Sequence, residues 1–315
     1  MQIQKLLLHI ILSSLLLTGC LTATAANERP DVDPNAFWQD VDETQVQARG
    51  ERWLNPQTYR ALVLDFSALS ARAASAPMER AGDVGIRLAL PMPDGGYTEF
   101  MVTESPVMEP GLSAKYPSIR TYAGQGIQDP HARLRFDVTP IGFHAQVLSP
   151  NGDFLIDPLQ KNDTDHYVSY FRRDYGPNTK QYRCDTEDSE ISATTLDTAP
   201  SIAKLGTPNT VGTQLRSLRT AIVATSSYTN LFGGTVAAGL SGVTTLVNRL
   251  NGVYERDVAL RFVLVANNDL IVYTNSNVGP IGAIPTGPNP IIQTTIDNAI
   301  GFANYDIGHA VGGSG

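Results

Sequence analysis

Residues 218–273, LRTAIVATSSYTNLFGGTVAAGLSGVTTLVNRLNGVYERDVALRFVLVANNDLIVY, carry the cleanest hydrophobic periodicity in the chain. They predict a strand, a helix, a strand and a short final strand. Residues 220–225 are an apolar run rich in Ala, Ile and Val, as a strand buried on both faces requires. Residues 228–234 read as a connection. From Thr235, an N-cap residue type, the side chains Val236, Leu240, Val243, Val247, Leu250 and Tyr254 recur at steps of four and three, which keeps them on one narrow arc. Ser241, Thr245, Asn248 and Arg249 fall opposite and predict a polar face. In residues 258–265, Leu260, Phe262 and Leu264 take one side and Val263 and Val265 the other, with Arg261 marking an edge that meets water. A strand, crossover helix and strand of this length predict the right-handed βαβ unit of a parallel sheet.

The 315 residues leave room for two domains, and 42% hydrophobic with 17% charged residues is the balance of globular protein. The net charge of −8 is unevenly placed, because from residue 211 onward five Arg face five Asp and Glu. The acidic excess therefore lies earlier. An acidic chain without a basic cluster argues against nucleic acid as a partner, and its acidic surface reads as a solvated face.

Residues 1–26 contain Lys5 and an apolar run over 6–17 broken only by His9, Ser13 and Ser14. This pattern predicts an export signal too short to remain as a membrane span. Two processing routes are written into it. Leu17-Thr18-Gly19-Cys20 has the form of a bacterial lipobox, which would make Cys20 the lipidated first residue of an outer-membrane lipoprotein. Ala23-Thr24-Ala25 is a small-x-small site that would instead release a secreted protein. Only Cys184 is left as a second cysteine, so once Cys20 is lipidated or removed the fold must be held by its core.

Between the signal and the βαβ stretch the chain reads as β-rich. Residues 27–58 predict a mobile arm with one short helix within 43–52. Strands follow at 59–66, at 84–90 with Val84, Ile86, Leu88 and Leu90 on one face, and at 97–104 after a PDGG turn. Further strands lie at 118–123, 132–138, 143–148, 154–157 and 166–172. In 132–138 the residues Ala132, Leu134, Phe136 and Val138 point inward and Arg133, Arg135 and Asp137 outward, which predicts an antiparallel meander with one wet face. The expected class is α+β: an antiparallel domain over 59–175, a linker over 176–217 rich in Thr, Asp, Ser and Pro, and a partial α/β domain over 218–315.

Residues 248–275, NRLNGVYERDVALRFVLVANNDLIVYTN, followed by ANYDIGHAVGG at 303–313, resemble the opening half of the catalytic domain in bacterial reprolysin-like zinc metallopeptidases of the metzincin clan. The series Tyr122-Ala-Gly124-Gln-Gly126, Asp129-Pro130, Gly142-Phe143, Phe154-Leu-Ile156-Asp157-Pro158 and His166-Tyr167-Val168 is similar to the propeptide of the same family. The resemblance implies a precursor of a peptide-hydrolysing enzyme, with zinc bound by HExxH plus a third His. No HExxH occurs here, so zinc belongs to the intact enzyme and none is expected on this fragment. The resemblance also implies that the strand carrying Tyr305, Asp306, Ile307, Gly308 and His309 is the sheet edge along which an extended substrate lies. As a partial domain, residues 211–315 are expected to leave apolar surface without a partner of their own.

Other residues with chemical character have blander readings. His144 alternates with inward Phe143 and Ala145 and is expected to face water. His131 and His166 sit at turn or strand edges without the local pairing of a metal site. Cys184 leaves three roles open: a propeptide thiolate on the zinc, a disulfide to a cysteine elsewhere, or none. The acidic cluster Asp185, Glu187, Asp188 and Glu190 reads as solvated linker ahead of a Ca²⁺ site. Asn162-Asp163-Thr164 matches a glycosylation acceptor, which a bacterial lipobox discounts. Gly312-Gly313-Ser314-Gly315 could open a GxSxG nucleophile elbow only if a glycine and a helix came next. The rival to the protease precursor is a non-enzymatic envelope lipoprotein whose β domain binds a partner. If Cys20 carries the lipid, Cys20→Ala moves the protein from the membrane to the soluble fraction; unchanged partition on ultracentrifugation assigns processing to Ala25 instead.

Overall fold

The computed structural model describes residues 37–47, 50–52, 54–79, 84–161, 163–176, 214–275, 279 and 290–313. Cys20, Cys184, the acidic cluster after it and Ser314 lie outside these residues. Nine strands make one antiparallel sheet: β1 (Trp38–Asp40), β2 (Arg60–Leu64), β3 (Ile86–Pro91), β4 (Tyr97–Glu104), β5 (Arg120–Gly126), β6 (Arg133–Thr139), β7 (Gly142–Leu148), β8 (Phe154–Pro158) and β9 (His166–Phe171). Their order is β1-β2-β9-β8-β7-β6-β5-β4-β3, so β3 to β9 run as the expected meander while β1 and β2 add beyond β9. The fold is α+β, as the sequence predicts.

The sheet curls until its far strands approach each other. Arg60 on β2 donates from Nη1 to the Gly96 carbonyl at 2.8 Å, and Ser169 Oγ on β9 donates to the Pro91 carbonyl at 2.9 Å. Inside the curl, period-2 alternation collects Leu62, Phe100, Phe136, Phe143, Ile156 and Tyr167 into one core, and helix α1 (Phe66–Ala74) adds Leu69 and Ala73 to it. Asp65 starts this helix by accepting from the Ala68 N–H at 2.9 Å. The helix was not foreseen, because 59–66 reads as strand up to the residue where the cap interrupts it.

Two expectations for this part need correction. Within the stretch read as a mobile arm, Trp38–Asp40 pairs antiparallel with Leu62–Leu64, and the Trp38 ring, 3% exposed, meets Phe143 and Tyr167 edge-on. Val84, expected in the core, is 80% exposed, since pairing of β3 begins only at Ile86.

The second sheet has the order β11-β10-β12, with β10 (Arg216–Ala224) parallel to both β11 (Leu260–Leu264) and β12 (Ile307–Val311). A short helix α2 (Pro110–Lys115) belongs to the β4–β5 connection. Helix α3 (Ser226–Leu231) occupies part of what reads as a connection after β10. It is started by Thr225, whose hydroxyl accepts from the Tyr228 N–H. Helix α4 (Val236–Val258) begins at Thr235 as predicted, the hydroxyl accepting from the Ala238 N–H at 3.1 Å. It ends on Ala259, whose φ of 53° turns the chain so that β11 starts at the next residue. The predicted short final strand is a 3₁₀ turn over Asn268–Ile271, because the Asn268 amide is used to bracket Ile222 of β10. Helix α5 (Pro290–Ala299) precedes β12 and buries Thr295 and Ile296.

Leu240, Val243 and Val247 of α4 are fully buried against β10 and β11, and Leu250 and Tyr254, at the far end of the same arc, are 37% and 40% exposed. The expected polar face is not solvated. Ser241, Thr245 and Asn248 are buried because α4 lies on β6 and β7 of the large sheet. For the same reason Arg135 and Asp137, read as outward and wet, are 4% and 1% exposed. One helix is thus the filling between two sheets. Since Trp38 sits in the core of the curl, Trp38→Ala should lower unfolding stability by about 3–5 kcal/mol in denaturant titration; a loss below about 1 kcal/mol would return residues 37–47 to the status of a loose arm.

Candidate functional site

The residues expected to line a substrate come together at β12. Thr220 to Ala224 of β10 pair in parallel with Ile307 to Val311, and no strand lies on the other side of β12 among the described residues. Tyr305 and Asp306 precede the strand and brace it. The Tyr305 hydroxyl donates to Asp297 Oδ1 at 2.7 Å and is met by the Gln293 amide. Asp306 accepts from the Arg219 backbone N–H at 2.7 Å and from Arg219 Nη2 at 2.8 Å, and these hydrogen bonds hold its carboxyl below the usual aspartate range. Ile307 packs toward α4 and Ala310 toward α5. Gly308 permits the approach of α5, since an added Cβ would stand 2.7 Å from Ile296 Cδ1. His309 is exposed on the strand.

The described histidines are dispersed. His144 does not face water as expected; its Nδ1 lies 3.1 Å from Asp137 Oδ1, which also accepts from Thr245 Oγ1 of α4 at 3.0 Å. His166 Nδ1 lies 2.8 Å from Asp163 Oδ2, and His131 sits in the turn ordered by Asp129. Among the described residues no three His, Cys, Asp or Glu side chains are grouped to hold a metal ion. These described donors do not form a zinc site, which asks for three or four converging ligands.

What sequence reasoning missed is the polar face joining α4 to the large sheet. Arg135 of β6 reaches Glu255, which also binds Arg261; Arg261 Nη1 in turn meets Glu79 Oε2 at 2.8 Å. Ser105 closes the chain, donating to Glu79 at 2.6 Å and accepting from Arg135 Nη1 at 2.9 Å. Further along α4, Arg249 pairs with Asp157, whose other oxygen accepts from the Tyr170 hydroxyl at 2.9 Å. Gly252 sets the spacing, since a Cβ there would lie 2.8 Å from Gln146 Oε1. Beside these contacts a cavity of about 200 Å³ opens between Ile141, His144 and Asp157 on the sheet and Tyr228, Phe232 and Arg249 on the helices. The only signal available in sequence was the run of uncompensated polar positions at i, i+4 and i+7 of α4, which solvent explains equally well.

Burial lowers the Arg135 pKa, Glu255 opposes this and the neighbouring Arg261 charge adds to it. For Glu79 burial pushes the pKa up, but the hydrogen bonds from Arg261 and Ser105 and the nearby guanidinium charges outweigh it and leave the group below the ordinary glutamate value. The geometry is that of a partly buried ionic seam in which Glu79, Glu255 and Asp157 each meet a guanidinium. It is built to position two sheets on one helix, and it contains no nucleophile and base pair.

Residues 214–314 match the family model described as metallo-peptidase family M12B, reprolysin-like. No curated protein matches the chain. The matched stretch begins just before β10 and ends just after β12, so it takes in the whole three-stranded unit with α3, α4 and α5 and none of the large sheet. This segment is reprolysin-like, as its sequence suggests, and the family is zinc-dependent in general and acts on proteins or peptides.

Glu255→Gln should cost about 3–5 kcal/mol, because it strands the buried Arg135 charge, whereas Thr245→Val should cost only about 1 kcal/mol; comparable losses in urea titration would contradict an ionic seam. Glu79 should contribute stability that is present above the ordinary glutamate range and lost as pH falls through its lowered folded value. Glu79→Gln should flatten that part of the acid limb in thermal unfolding at stepped pH.

Proposed function

We propose that this chain is the leading part of an exported metallopeptidase precursor, in which the large antiparallel sheet is a propeptide and residues 214–313 open the catalytic domain. The observation that carries the reading is the way the reprolysin-like unit is covered. Its central helix places an apolar face on its own sheet and a polar, charge-paired face on β6, β7 and β8. A seam of that composition suits two bodies that part along it, since its ionic groups rehydrate on separation. Among the described residues the outer side of β12 carries no strand, and an extended peptide could add there by backbone pairing, with Asp306 and Tyr305 fixing where the strand starts. Export through the N-terminal signal, with Cys20 lipidated or the chain released after Ala25, fits an enzyme that acts on proteins outside the cytoplasm.

The test uses the natural polypeptide purified from its source. Hydrolysis of an unfolded protein substrate should be abolished by a zinc chelator, restored by added zinc, and increased when a protease cuts between residues 176 and 214. Absence of chelator-sensitive hydrolysis both before and after that cut would overturn the reading.

A further inference from the structure

The connection between β4 and β5 is far longer than adjacent antiparallel strands need. It runs over residues 105–119, where hairpin loops of about two to five residues are usual. The excess leaves the large sheet and docks on the reprolysin-like unit. Leu264 of β11 donates its N–H to the Val107 carbonyl at 2.7 Å, and the Glu109 N–H donates back to the Leu264 carbonyl at 2.9 Å. Met108 and Leu264 thus form a parallel bridge on the side of β11 away from β10.

Side chains complete the contact. Val107, Met108, Leu112 and Ile119 are 1%, 5%, 0% and 3% exposed and share one core with Phe262 and Leu264 of β11 and Leu240, Val243 and Val247 of α4. Glu109 occupies the N-cap position of α2 but does not cap it. Its carboxylate instead crosses to accept from the Ala266 N–H at 2.8 Å, taking up the first free donor beyond the end of β11. Pro110 then turns the chain into α2, and Gly111 keeps the helix close, as an added Cβ would lie 3.0 Å from Ala266 Cβ. Lys115 Nζ meets Asp269 at 2.9 Å and pins the far end. Val107, Met108, Glu109, Leu112, Lys115 and Ile119 all come from outside the matched stretch, so this edge and apolar trough of the reprolysin-like unit are filled by chain that is not its own.

We infer that the outer edge of β11 is a peptide-docking site, held in this chain by its own segment, which takes an extended ligand of two apolar residues followed by glutamate and proline. The backbone pairs at Leu264 supply affinity for any strand, the trough selects the apolar pair, and the Ala266 N–H selects the carboxylate. This goes beyond the precursor reading and does not need it, because the edge and its occupant are defined whether or not the large sheet is ever released.

The experiment uses the full chain with Val107→Ser, Met108→Ser and Glu109→Ala combined, and as probe a fluorescent peptide of residues 105–119, SPVMEPGLSAKYPSI. The triple variant should bind the peptide saturably and gain thermal stability from it, while the unaltered chain, whose edge is filled, should not. A peptide with Glu109→Ala should bind about tenfold more weakly, as loss of one charge-assisted hydrogen bond implies. Equal binding by variant and unaltered chain, equal binding of a scrambled peptide, or no binding by the folded variant would overturn the inference. Should the triple variant not fold, the single change Glu109→Ala decides. Amide exchange at Ala266 should then quicken at least about tenfold and slow again on adding the peptide, and unchanged exchange would overturn the docking site.

Discussion

Burial of helix α4 on both of its faces is the constraint on which the remaining structure depends. A helix between two sheets must satisfy two chemistries at once, and this one does so by dividing its surface. Leu240, Val243 and Val247 give it an apolar stripe for β10 and β11, and Ser241, Thr245, Asn248, Arg249 and Glu255 give it a polar stripe for β6, β7 and β8. Dispersion and water release hold the first contact, and paired charges hold the second. The parallel sheet is placed against the antiparallel one largely by what this helix carries.

The two contacts differ in what separation would cost. The charge pairs Arg135–Glu255 and Arg249–Asp157 stabilise the assembled state only as far as their attraction exceeds desolvation, and in water each ion is solvated again. The trough filled by Val107, Met108 and Leu112 behaves otherwise, since opening it exposes apolar surface on both sides. Large sheet and reprolysin-like unit are therefore joined by one contact that parts easily and one that does not.

Backbone edges give the same asymmetry. On one side of the parallel sheet the edge of β11 is filled by Val107–Glu109, with a carboxylate placed on the N–H that follows. On the other, β12 has no neighbour among the described residues, and its entry is fixed by Arg219 with Asp306 and by Tyr305 with Asp297. An edge that is braced at its start yet unpaired along its length is where an added strand finds its register already set.

Local patterns were legible wherever one residue's chemistry settles one backbone choice. Thr235 as a cap, the stripe from Leu240 to Val247, the alternation of Leu134, Phe136 and Val138 and the PDGG turn all depend on near neighbours in the chain, and each appears as read. The reprolysin-like character of residues 214–314 was legible for the same reason, being carried by contiguous words of sequence. Tertiary structure alone decided which polar side chains meet water. Arg135, Asp137, His144 and Thr245 alternate as a solvated face would, and nothing local distinguishes water from a second sheet bearing complementary groups. It also decided that Trp38 belongs to a strand and that residues 105–119 leave their own sheet for another, because both depend on partners more than twenty residues away in the chain, and a hydrogen bond or a trough supplied at that distance leaves no periodicity in the segment that fills it.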